Sequence, residues 1–395
     1  MPPPERLESL CQDAVASWVP AFAGTTGIFE EMSETALLPI LRQLIAEKGP
    51  ISVSAYMALA LGHPRHGYYM TRDPFGARGD FVTAPEISQL FGECLAVWCA
   101  LAWEAMGQPQ PLRLVELGPG RGTLMADMAR TLARIAPALM RTVTLHLVET
   151  SPVLRRAQEA ALRGRTAFWH ARFGEVPAGP LLLVANEFFD ALPAQQFVRA
   201  GAGWCERCVD WDAAARRLVF RAGPPLPGDV PPVLAAAPEG SVYELSPAAT
   251  ALAGEIGARL AAAPGVALAI DYGRRVPAAG DTLAAIQGGR KDADPLAAPG
   301  AADLTVHVDF AALAEGFARG GAQCWGPVTQ GELLTALGLK QRLAVLAARA
   351  TPAQIEALES GARRLIAPEG MGTLFLALAA ATPGLPAPPG FEPPR

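Results

Sequence analysis

The feature that most constrains this chain is an apolar run, Leu112–Leu117, that ends in Gly118-Pro119-Gly120-Arg121-Gly122. Leu124, Met125, Met128, Leu132 and Ile135 then recur at helical spacing. A strand, a tight glycine turn and a helix in succession form the opening unit of a parallel α/β sheet. The same rhythm continues downstream. Val143–Val148 reads as a strand and Pro152–Leu162 as a helix, and Leu181–Ala185, Val266–Ile270 and Gly372–Leu378 read as further strands. Strands apolar on both faces are covered by helices on both sides. The predicted fold class is therefore α/β, a doubly wound Rossmann-like sheet with an N-terminal helical segment and an antiparallel insertion.

Four stretches stand apart from that rhythm. Residues 32–106 read as a helical and lid segment: helices over 33–48 and 52–61, a turn-rich lid over 63–86, and a long apolar helix over 86–106. Within the main domain, 107–382, residues 196–245 read as an antiparallel insertion and 274–303 as a long mobile loop rich in Gly, Asp, Pro and Ala. The tail 383–395 is Pro-rich and is expected to be disordered. Residues 1–31 fit no targeting class. Trp18–Thr26 looks like peptide translated from a repeated bacterial DNA element, so 1–31 is expected to be a disordered or miscalled extension, with translation starting at Met32.

Composition excludes several function classes. With 51% hydrophobic and 18% charged residues, the chain can fill a large core. A net charge of −5 with no run of Lys or Arg argues against nucleic acid. No apolar stretch reaches the ~20 residues of a membrane span. Six scattered cysteines form no disulfide framework and suit the reducing cytoplasm. Cys205 and Cys208 make a lone C-x-x-C in a strand, which points the thiols to opposite faces, so they are read as incidental. The five histidines form no metal motif, and His307 reads as a structural histidine.

Three acidic or amide-bearing strand ends carry the chemistry. Gly118, Gly120 and Gly122 let backbone approach a ligand at the edge where open α/β sheets bind. No Gly-Lys-Ser/Thr follows, and Thr123 replaces the third glycine of a dinucleotide loop. Glu116 lies just ahead of that loop. Its carboxylate repels a pyrophosphate but accepts hydrogen bonds from an ammonium, which favours S-adenosylmethionine over NAD. Glu149, ending the second strand, is suited to ribose hydroxyls. Asn186-Glu187-Phe188-Phe189-Asp190, after the third strand, places Asn186 toward the methionine part or the acceptor. It also supplies Glu187 and Asp190 to orient a basic nucleophile.

These residues resemble a known family. Gly79-Asp80-Phe81-Val82-Thr83-Ala84-Pro85-Glu86-Ile87-Ser88-Gln89-Leu90-Phe91-Gly92, Val115–Met125, Ala185–Pro193, Ile270-Asp271-Tyr272-Gly273, Asp303–Phe310 and Gly326–Gly331 are similar to the MidA-like class I methyltransferases. That resemblance implies an S-adenosylmethionine cofactor and protein arginine methylation. It also implies, as for mitochondrial members, a role in assembling respiratory complex I through dimethylation of its 49-kilodalton-type core subunit. A cytoplasmic location follows for a bacterial-type chain. The resemblance departs at Ala171-Arg172, where the family tends to carry an acid, so no adenine contact is assigned. The expected catalytic set is Glu187 with Asp190 or Glu86 as a carboxylate fork on the guanidinium. Three rivals are weighed: a cofactor-binding chaperone without transfer, a small-molecule methyltransferase, and an NAD-dependent oxidoreductase, the last disfavoured by Glu116 and Thr123.

Overall fold

In a computed structural model, residues 35–71, 83–201, 203–226, 230–287 and 290–391 are described. The expectations for residues 1–31, for the middle of the 63–86 lid and for 392–395 lie outside them.

Eight strands build the central sheet, seven along one path, β1 (Leu112–Leu117), β2 (Val143–Val148), β3 (Ala167–His170), β4 (Leu181–Asn186), β5 (Gly265–Arg274), β6 (Gln323–Thr329) and β7 (Phe375–Ala381), and the short Val308–Asp309 beside the end of β5. The order along that path is β3-β2-β1-β4-β5-β7-β6. Strands β1 to β5 pair in parallel, and β7 runs antiparallel between β5 and β6. The chain order reverses between β1 and β4, and at that switch point a crevice opens beyond the strand ends. Register brings the functional ends level. Leu117 pairs with both Val148 and Ala185, and Asn186 pairs with Ile270. The glycine turn, Glu149, Glu187 and Asp271 therefore emerge along one edge.

Alternation along the strands divides the core. Leu112, Leu114, Leu182 and Val184 face the helices Gln89–Ala105, Thr123–Ile135 and Pro352–Ile366. Val115, Leu117, Leu183 and Ala185 face Pro247–Ala262, Phe310–Arg319 and the N-terminal helices Leu38–Lys48 and Val53–Gly62. Both faces are dry, which explains why the strands read as unbroken apolar runs.

Residues 195–245 form antiparallel strands Gln195–Ala200, Gly203–Asp212, Arg217–Pro225 and Val242–Leu245, joined by the short strand Ile51–Ser52. Cys208 is buried and Cys205 half-buried on one of these strands, both as free thiols.

Three expectations need correction. Residues 274–303 are not a structureless loop, because Ala284–Gln287 pairs with Arg290–Ala293 and Asp303–Thr305 in a small antiparallel sheet. Ala285, Ile286 and Leu304 anchor it in the core; such short strands leave little signal among Gly, Asp and Pro. The tail is ordered through Phe391, whose ring is buried in the core beneath β6. The expected helix over 86–106 is two elements, Ala84–Ile87 and Gln89–Ala105. Ser88 is extended between them, and its hydroxyl caps the second by accepting the Leu90 N–H at 3.3 Å. Glu86 therefore sits on a short turn ahead of the helix.

Candidate functional site

A cleft of about 360 Å³ opens at the switch point. Its walls are Gly118, Pro119, Gly120, Glu116, Thr123, Glu86, Asn186 and Glu187, with Arg121, Thr83, Pro85 and Leu124 completing the lining. It thus brings together the glycine turn, the β4 turn and the residues just ahead of the long helix, which are far apart in sequence.

The glycine turn follows from local chemistry. Gly118, Gly120 and Gly122 have φ of 61°, 53° and 82°, a region costing roughly 1–2 kcal/mol for a residue with a Cβ. Gly122 is constrained twice, since a Cβ there would lie 3.1 Å from the Gln158 Cα. The turn leads into the helix Thr123–Ile135, whose first residues, Thr123 and Leu124, line the cleft.

Behind the turn, Glu116 is 2% exposed and its Oε2 has no hydrogen-bond partner. Burial pushes its carboxyl up to about 8, against the Met125 N–H, which favours the anion. Asn186 Oδ1 is likewise buried without a partner, while its Nδ2 donates to Glu187 Oε1 at 3.1 Å. Two uncompensated acceptors in one cleft suit a ligand rich in donors, and an ammonium offers three. A pyrophosphate would meet Glu116, Glu86 and Glu187 instead. The residues present thus fit S-adenosylmethionine.

Glu187 lies at φ 51°, in the left-handed region although it carries a side chain. Such outliers concentrate at functional sites. Its Oε1 accepts the Ala84 N–H at 3.1 Å as well as the Asn186 amide, and this leaves Oε2 for a ligand. Burial pushes its carboxyl up to about 7; the two hydrogen bonds and the charge of Arg364 act in the opposite direction. Glu86, also in the cleft wall, is exposed, and its Oε1 accepts the Thr123 hydroxyl at 2.5 Å.

Two of the expected site residues lie elsewhere. Asp190 is fully buried and absent from the cleft wall, beside Tyr272, Asp271 and Asp303. Burial, then repulsion from those two aspartates and Glu187, raises its pKa far above the ordinary value. It therefore does not share the cleft wall with Glu187 in this structure. Glu149 is also fully buried. Its Oε1 accepts the Ser151 N–H at 2.8 Å and its Oε2 accepts Gln158 Nε2 at 3.1 Å. Burial pushes it up to about 7. It stands one side chain behind the glycine turn, since Gln158 Nε2 also donates to the Gly120 carbonyl at 2.7 Å.

His307 lines a separate cavity of about 900 Å³ with Phe189, Arg274 and Asp309, and its ring meets the Tyr272 ring edge-on at 5.4 Å. Sequence reasoning overlooked Gln158 and the role of Asp271. The signals for Asp271 were its place directly after an apolar strand and its membership of the motif Ile270-Asp271-Tyr272-Gly273. Among the described residues, no His, Cys, Asp and Glu cluster could hold a metal, and no helix is long and apolar enough to cross a membrane.

Comparison with known proteins agrees with this geometry. Residues 94–328 match the model of a family described as "Putative S-adenosyl-L-methionine-dependent methyltransferase". The protein arginine methyltransferase NDUFAF7 homolog, mitochondrial, of Drosophila melanogaster is 37% identical, covering 88% of this chain and 85% of its own length. The human protein arginine methyltransferase NDUFAF7, mitochondrial, is 35% identical over 87% of this chain and 84% of its own. A COG1565 superfamily member from Burkholderia thailandensis, solved with bound S-adenosyl-homocysteine, superposes with a TM-score of 0.77 at 28% identity, covering 99% of this chain and 96% of that one.

Proposed function

This chain belongs to the S-adenosyl-L-methionine-dependent methyltransferase family, and on that premise we propose that its acceptor is an arginine of a protein. The observation that carries this reading is Glu187, a carboxylate held in the cofactor cleft at a positive φ. The relatives named as protein arginine methyltransferases support it.

When bound, S-adenosylmethionine would supply a sulfonium methyl group, which an in-line nucleophile takes as the C–S bond breaks and S-adenosyl-homocysteine leaves. The difficulty lies with the acceptor, because a guanidinium is protonated and its nitrogens carry no free lone pair. Glu187 Oε2 pairs with two guanidinium N–H groups or with one in line, which fixes the plane and draws positive charge away from the attacking nitrogen. Of the two expected partners, Glu86 shares the cleft wall with Glu187 and completes the fork. A carboxyl poised near 7 is also suited to accept the proton that the substituted nitrogen sheds. Glu116 and Asn186 Oδ1 hold the donors of the cofactor's amino-acid end, and Gln158 and Glu149 brace the glycine turn for its nucleoside end.

The acceptor protein is proposed to be the 49-kilodalton-type core subunit of respiratory complex I, methylated during assembly. The free thiols fit action in the reducing cytoplasm. Incubation of the chain and labelled S-adenosylmethionine with the recombinant core subunit, followed by mass spectrometry, tests both steps. Label on an arginine supports the reading. Label on a lysine, or on small amines alone, overturns it.

A further inference from the structure

The turn that carries Glu187 has no glycine to shape it, so something else must hold its left-handed backbone. Asp271, the first residue past Ile270 on β5, is fully buried. Its Oδ2 accepts three successive backbone N–H groups, from Phe188 at 3.1 Å, Phe189 at 2.9 Å and Asp190 at 3.2 Å. Its Oδ1 accepts the Tyr272 N–H at 2.9 Å. Glu187 N–H in turn donates to the Ile270 carbonyl at 2.9 Å, tying both sides of the turn to the same strand end. Successive N–H groups converging on one oxygen form a nest for an anion, here supplied by the protein itself. All four of these hydrogen bonds come from backbone N–H groups, so an amide in place of the carboxyl turns an N–H against one of them.

We infer that Asp271 is a positioning residue: its carboxylate gathers the N–H groups of residues 188–190 and so holds Glu187 in the left-handed conformation that points it into the cleft. The inference rests on the reading of Glu187 as the acceptor-binding carboxylate. Asp271 touches neither cofactor nor acceptor and acts through the turn. It does for the β4 turn what glycines do for the β1 turn.

A double-mutant cycle separates this role from a general place in the core. Glu187→Gln and Glu187→Gly both remove the charge, but only glycine adopts a positive φ without strain. Asp271→Asn is introduced into each, and chemical denaturation midpoints are compared. If Asp271 holds the turn, its loss shifts the midpoint at least twofold less in the glycine background. Equal shifts overturn the inference. If Asp271→Asn alone does not fold, recovery of folding by Glu187→Gly supports it, and failure of both variants overturns it. In the otherwise native chain, Asp271→Asn is expected to lower transfer at saturating cofactor about 100-fold, as misplacement of a reacting group does. Calorimetric affinity for S-adenosyl-homocysteine should stay within about threefold, since residues 116–122 are untouched. A wild-type enzyme that labels no arginine would sink the acceptor reading, and the denaturation cycle would still decide the role of Asp271. Transfer lost in Asp271→Asn but retained in Glu187→Gln would show that Asp271 does not act through Glu187.

Discussion

The two turns that line the cleft reach the same backbone geometry by opposite means. After β1, positive φ is carried by Gly118, Gly120 and Gly122, so the chain adopts that shape from local preference alone. After β4, positive φ is carried by Glu187, held in place by turn N–H groups donating to β5 and by donation from Ala84 and Asn186 to its side chain. The first turn can come close to a ligand because it lacks side chains. The second has to present a side chain, and so it cannot be built of glycine. On the proposed function, each turn's composition follows from its task, the β1 turn cradling a cofactor and the β4 turn aiming a carboxylate.

That contrast predicts different failures, the largest at the β4 turn. Glu187→Gln keeps shape and polarity but loses the charge that engages a guanidinium. Transfer to arginine should fall by about 10³-fold, within the range of a lost general base, while calorimetric binding of S-adenosyl-homocysteine changes less than twofold. A variant that methylates normally would remove Glu187 from the mechanism.

The β1 turn should fail the other way. In Gly122→Ala the added Cβ meets the Gln158 Cα at 3.1 Å and forces a strained φ of 82°. Cofactor affinity should drop about tenfold or more, with stability lower by about 1–2 kcal/mol. Unchanged affinity would mean that the turn does not cradle the cofactor. Glu116→Gln should also weaken the cofactor, by roughly tenfold, because a charge-assisted hydrogen bond to its ammonium becomes a neutral one.

Smaller effects concern protons. Burial first, opposed by its hydrogen bonds, puts Glu187 at about 7 in the free enzyme. The ratio kcat/KM should therefore rise with pH up to about 7 and then level off, because the anion is the working form. Glu116 at about 8 and Glu149 at about 7 are likewise raised above the ordinary value of 4.5 by burial. Between about 4.5 and 8 the native state then binds more protons than the unfolded chain. Unliganded stability should be greatest near pH 5 and fall as pH rises toward 8. Cofactor, whose ammonium favours the Glu116 anion, should flatten that slope. Melting curves across this range with and without S-adenosyl-homocysteine would show it, and identical slopes would mean that no buried carboxylate faces the ligand.

Much of this was legible beforehand, for identifiable reasons. Strands β1 and β2 and the helix Pro152–Leu162 were read residue for residue, because a buried parallel strand is an unbroken apolar run with sharp ends. The cofactor turn was legible because glycine is itself the signal. The burial of Asp190 was not legible, because a residue three places after Glu187 looks equally available in the sequence. The small sheet near 284–305 and the docking of Phe391 were missed because both depend on contacts with distant segments.

By itself, then, the sequence determined the sheet, its doubly wound character, the glycine cradle and the acidic sites that favour a cationic cofactor over a dinucleotide. These depend on periodicity, glycine and charge, all of which act over a few residues. The tertiary structure alone decided which acids share the cleft and which are buried behind it. It also decided that Asp271 shapes the β4 turn from a neighbouring strand. Strand register and burial set those outcomes, and both arise only when segments some 80 residues apart, such as Phe188 and Asp271, come into hydrogen-bond contact.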